Sequence, residues 1–119
     1  MFALRGAITV TENSEGPILE ATRELIGEMM SRNSIESSAM VSCIFSCTPD
    51  LNAQFPAVAA RDLGLDRVPL LCTQEIAVPG ALERVIRVLL HYYAPASHEP
   101  QHAYLREASS LRKDLGSAQ

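Results

Sequence analysis

The alternation of apolar and polar positions divides the chain into elements before any other property is considered. The stretch FALRGAITV (2–10) is rich in strand formers and bounded by the polar TENSEG, so it predicts a strand, interrupted by Arg5 and Gly6. Ile18, Thr22, Leu25, Ile26 and Met29 then recur at helical spacing. Asn13 or Ser14 is the expected cap, Pro17 lies near the first turn and Asn33 is the expected stop. MVSCIFSC (40–47) is nearly all apolar and predicts a second strand, covered on both faces. Thr48-Pro49-Asp50 turns the chain, Pro56 opens a short helix over PAVAARDL, and Gly64 ends it. VPLLC (68–72) predicts a third strand and Pro79-Gly80 another turn.

The next stretch is ambiguous. Leu82, Val85, Ile86 and Leu89 fit a helix, whereas Val85, Ile86 and Val88 favour a strand by composition; periodicity alone leans to helix. APASHEP reads as a loop, HAYLRE as a short element of undecided type, and LRKDLGSAQ as a polar tail that is mobile at its end. Strand and helix in alternation, followed by more strand, predict an α+β fold: one mixed sheet with helices packed on it.

Length, composition and charge narrow the classes. A chain of 119 residues fits one domain, here taken as 1–119, and can bury a core without disulfides or metal. The net charge of −4 argues against a nucleic-acid or anionic-membrane partner. The odd count of cysteines (Cys43, Cys47, Cys72) and a start that is not a secretory or membrane segment predict reduced thiols in the cytoplasm. Cys43 and Cys47 fall on one strand face about 13 Å apart, which excludes a local disulfide and reads as two core cysteines. For Cys72, burial and substrate contact weigh evenly.

Candidate chemistry centres on arginine. Nine of the ten basic residues are arginine, Lys113 being the other. In VIRVLL (85–90), Arg87 stands inside an apolar run, and a buried unpaired charge costs several kcal/mol or more, so its head group must escape to water or meet an anion. Arg5, Arg61 and Arg112 join Arg87 as candidates, because a guanidinium grips carboxylates with a planar fork. Sequence order cannot show whether they converge. HEPQH (98–102) has the outline of a zinc-protease motif, but Pro100 opposes the helix that motif needs, so a solvated loop is expected and no metal. Tyr92 and Tyr93 read as packing residues, and Tyr104 is undecided.

Several ordered blocks together resemble the monofunctional type I chorismate mutases, the trimeric α+β class. They are LRGAITV (4–10), CTPDLNAQFPA (47–57), VPLLCTQEI (68–76), PGALERVIRVLLH (79–91) and HAYLREASSLRKDL (102–115). The resemblance implies conversion of chorismate to prephenate in phenylalanine and tyrosine biosynthesis. It implies helices on the outside of a mixed sheet, three subunits forming a barrel-like core, and pockets in the clefts between them. It places Arg87 on a strand from Arg84 to His91, against the periodicity.

Residue by residue, the resemblance implies that Arg87 faces the ether oxygen of the substrate and that Glu75 accepts a hydrogen bond from the ring hydroxyl. Arg5 and Tyr104 bind the side-chain carboxylate, and Leu71, Cys72, Thr73 and Gln74 form one wall with Glu75. Phe55 and Arg61 come from the adjacent subunit, and Leu111 and Arg112 from a tail, starting near 109, that covers the mouth. No cofactor or metal is implied, because the rearrangement moves no proton and forms no covalent enzyme intermediate. Val58 stands where some members carry a lysine, and Lys113 where a proline is common. The competing expectations are a trimeric imine or enamine deaminase of related fold, in which Glu75 activates water, and a non-enzymatic module that senses a carboxylate metabolite.

Overall fold

The computed structural model describes the backbone of residues 1–116 and the side chains of residues 1–111. Five strands form one mixed sheet: β1 (Phe2–Thr9), β2 (Met40–Cys47), β3 (Leu70–Gln74), β4 (Val85–Tyr92) and β5 (Ala103–Leu105). Their spatial order is β3-β2-β4-β1-β5. β4 is central and antiparallel to both β1 and β2, while β2–β3 and β1–β5 pair in parallel. This is the mixed sheet that the order of elements predicts.

Helix α1 (Glu15–Asn33) covers one face of the sheet. Its buried positions include the five predicted from spacing, packed against Leu4, Ile8, Phe45, Ile86 and Leu90. Thr22 is tolerated there because its hydroxyl donates to the Ile18 carbonyl at 2.8 Å. Ser14 occupies the N-cap position, but its hydroxyl goes to Glu12 and no side chain caps the helix. The stop is one residue later than predicted: Asn33 is still helical, and Ser34 takes the left-handed backbone at φ 51°. The Asn33 amide donates instead to the carbonyls of Met29 and Gln101, tying the helix end to the loop before β5. Gly6 lies where β1 meets α1; a Cβ there would stand 2.5 Å from Met29 Sδ.

The short helix α2 (Ala57–Ala60) runs into a wider turn over Arg61–Leu65, where Gly64 at φ 99° reverses the chain as expected. The 85–92 stretch is a strand, not the helix its periodicity suggests. Ile86, Val88, Leu90 and Tyr92 alternate into the core, so pairing on both sides overrides the local pattern. The start of β4 is clamped: Arg84, at φ 50°, donates its backbone N–H to both Asp50 oxygens, at 3.3 and 3.0 Å. Thr48 Oγ1 accepts the Val85 N–H at 3.0 Å.

Three expectations are corrected. β2 is not covered on both faces: Cys43, Phe45 and Cys47 are buried, but Val41, Ser42, Ile44 and Ser46 are not, since a single chain supplies one helical layer. Tyr92 packs, but Tyr93, on the opposite parity, is exposed. HEPQH is the expected loop, with Glu99 and Gln101 exposed, but its histidines are engaged rather than solvated. His98 Nε2 lies 2.6 Å from the Tyr92 hydroxyl and its ring meets Phe2 edge-on, while His102 Nδ1 accepts the Arg5 backbone N–H at 3.0 Å. HAYLRE resolves into β5 and the start of a 3-10 helix over Arg106–Gly116.

Candidate active site

Side chains of paired residues in a sheet share a face, so the register alone assembles the site. Arg87 pairs with Ala7 on β1 and with Ser46 on β2; Ala7 pairs on with Tyr104, and Ser46 with Thr73. Thr73, Ser46, Arg87, Ala7 and Tyr104 therefore form one row across all five strands, on the face away from α1. The next row holds Leu71, Ile44, Leu89 and Arg5. Ala7, a short side chain in the same row, leaves room between the long ones. The result is a cavity of ≈ 190 Å³ lined by Arg5, Ser46, Arg87 and Tyr104 with Gly6, Ala7, Ile44, Val88 and Leu89.

Glu75 follows β3 and is fixed by its backbone N–H, which donates to the Cys47 carbonyl at 2.8 Å. Its Oε1 lies 3.2 Å from Arg87 Nε, and Ser46 Oγ donates to the same oxygen at 3.4 Å. The Arg87 contact is ionic rather than a hydrogen bond: among the described residues, the buried Nε has no aligned acceptor. Leu111 packs with Ala7, Val85, Ala108 and Tyr104 beside this cavity.

The remaining predicted residues stand elsewhere in the single chain. Cys72 pairs with Phe45 and Gln74 with Cys47, so both side chains lie on the α1 side. Together with Thr73 and Phe55 they border a second cavity of ≈ 400 Å³. Leu71 lies on the open face and is exposed. Arg61 is exposed at the end of α2 and lines neither cavity. The side chain of Arg112 lies outside the described residues, as does that of Lys113. Burial pushes the Cys43 and Cys47 thiols up to about 12, with the neighbouring Cys72 adding to it, so neither is a nucleophile. Ser46 was missed in the sequence reading. The available signal was parity: it sits on the face of β2 opposite Cys43, Phe45 and Cys47.

Comparison with known proteins identifies relatives over nearly the whole chain. The family profile described as Chorismate mutase type I matches residues 1–115. A chorismate mutase of Thermus thermophilus is 49% identical over 118 residues, covering 98% of this chain and 97% of the relative. One from Bacillus subtilis is 38% identical over 114 residues, covering 94% and 90%. The solved chorismate mutase of Clostridium thermocellum superposes with a TM-score of 0.90 at 40% identity, covering 92% of this chain and 99% of that one. A near full-length match in sequence and fold places the chain in the type I chorismate mutase family.

Proposed function

We propose that the chain catalyses the intramolecular rearrangement of chorismate to prephenate, with Arg87 as the group that stabilises the transition state. In this reaction the ether C–O bond breaks as a C–C bond forms, and the electron pairs move within one ring of six atoms. No proton is transferred, so the protein has two tasks. It holds the flexible dianion compactly, and it meets the charge that builds on the ether oxygen.

The first task suits Arg5 and Tyr104, which flank the cavity and can bind the side-chain carboxylate. The second suits Arg87, which lines the cavity on a side chain 41% exposed, with Glu75 Oε1 3.2 Å from its Nε. That part-exposed guanidinium, set in the cavity between Arg5 and Ser46, is the observation that carries the reading. Glu75 offsets the guanidinium in the empty site and accepts the ring hydroxyl in the filled one.

A cavity of ≈ 190 Å³ is smaller than the roughly 300 Å³ at which ligand pockets begin, so a second wall is required. In this proposal an adjacent subunit supplies it through Phe55 and Arg61, within a homotrimer. The exposed apolar side chains of Phe55, Leu71, Ile76 and Val78 support a covered surface here. The segment with Leu111 and Arg112 closes the mouth, and Cys72, Thr73 and Gln74 shape the rim from the β3 edge. Among the described residues no helix is long and apolar enough to cross a membrane. A soluble dianionic substrate fits a cytoplasmic enzyme.

The test is a spectrophotometric assay of chorismate loss, with prephenate identified as product. Wild type is expected to turn over. Arg87→Ala is expected to fall by about a hundred- to a thousandfold, as for loss of one preorganised donor. Undiminished turnover in that variant, or none in wild type, removes the proposal.

A further inference from the structure

We infer that Ser46 is a positioning residue, which holds Glu75 off the fork of Arg87 and so keeps the guanidinium available to the substrate. The inference rests on the proposed mutase reading. Ser46 lies in the middle of β2, between buried Phe45 and Cys47, at a half-buried site where a β-branched residue would suit the strand better. Among the described residues its hydroxyl hydrogen-bonds to no backbone group. It donates to Glu75 Oε1 at 3.4 Å, the same oxygen that lies 3.2 Å from Arg87 Nε. Ser46 and Arg87 are also cross-strand partners, so the hydroxyl stands beside the base of the arginine.

The geometry at Glu75 is restrained from two sides. Its backbone is pinned to Cys47 at 2.8 Å, and its carboxylate is bent back across β2. An arginine and a carboxylate left to themselves favour a bidentate pairing, with two parallel N–H···O bonds. Here the contact is a single, unaligned one to Nε. Ser46 supplies a competing donor to that oxygen. Without it, the carboxylate is free to rotate into the fork and neutralise Arg87, and the substrate must then displace it. The cost of that displacement falls on binding of substrate to the free enzyme and leaves the chemical step nearly unchanged.

Steady-state kinetics with chorismate on wild type, Ser46→Ala and Ser46→Thr, repeated in a Glu75→Gln background at high enzyme concentration, tests this. Ser46→Ala is expected to raise KM about tenfold with kcat within about twofold, a size typical of one hydrogen bond to a charged group. Ser46→Thr restores the hydroxyl and is expected to stay within about threefold of wild type. In the Glu75→Gln background, where no carboxylate can enter the fork, Ser46→Ala is expected to have no further effect. An equal loss in both backgrounds, a loss confined to kcat, or wild-type kinetics in Ser46→Ala overturns the role of Ser46 while leaving the mutase proposal standing. Absence of turnover in wild type overturns both.

Discussion

The two faces of the sheet are built from the same strands and obey opposite rules. On the α1 side, β4 presents Ile86, Val88, Leu90 and Tyr92, each nearly or fully buried. On the open side it presents Val85, Arg87, Leu89 and His91, and its neighbours add Arg5, Ser46 and Ile44. The covered face is held by close packing, where a change of one methylene group is felt. The open face carries charge because, beyond Ala108 and Leu111 packed on Ala7 and Val85, its own chain leaves Arg5, Ser46 and Arg87 lining a cavity. A two-residue repeat thus separates stability from chemistry within single strands. Substitutions on the two parities of β4 are expected to produce different kinds of damage.

The sharpest contrast is between neighbours on β4. Arg87→Ala is expected to reduce chorismate turnover by up to about a thousandfold while leaving the denaturant midpoint close to wild type, because the side chain is half-exposed and packs little. Leu90→Ala is expected to do the reverse. It empties a fully buried site and costs about 2–5 kcal/mol in denaturant unfolding, with kcat per folded molecule retained. If Leu90→Ala abolished turnover in fully folded protein, the division between faces would not hold.

Gly6 tests the covered face more gently. An added Cβ meets the flexible end of Met29, so Gly6→Ala is expected to cost about 1–3 kcal/mol of stability. Shortening Met29 to alanine in the same chain is expected to recover part of that loss, a coupling that a double-mutant cycle measures.

The smallest effect is set by pH. Burial, aided by the positive charge of Arg5, holds the His102 imidazole below its ordinary value of 6.5. The unfolded chain therefore binds a proton that the folded one resists. The stabilisation from neutral His102 is complete above about pH 6.5 and is lost as pH falls from there through the depressed folded value. Denaturant midpoints between pH 7.5 and 5 are expected to fall more steeply for wild type than for His102→Asn. Equal slopes would show that the Arg5–His102 contact does not respond to protonation.

Much of this was legible in the residues and some was not, for physical reasons. The face of α1 could be read from spacing because one stripe of a helix reports one environment. The same logic failed for 85–92, since a strand paired on both sides needs no local preference of its own. It failed too for β2, where Val41 and Ile44 make the run read as apolar throughout although Ser42 and Ser46 mark an open face. Resemblance supplied the strand and the pairing of Arg87 with Glu75, which composition could not. Ser46 escaped because parity puts it on the open face of β2 but only the register places it beside Arg87. The histidines of HEPQH were misread because their partners, Tyr92 and the backbone of Arg5, lie elsewhere along the chain.

The parallel pairing of β1 with β5 sets a timetable for a chain made from its N-terminus onward. Arg5 leaves the ribosome about a hundred residues ahead of Tyr104, which slots in at the outer edge. The other four strands pair without β5, but Ala103 belongs to the buried core, so the covered face is finished only when β5 arrives. A chain cut short before β5 would keep Arg5 and Arg87 but lose Tyr104 from the cavity and Ala103 from the core together.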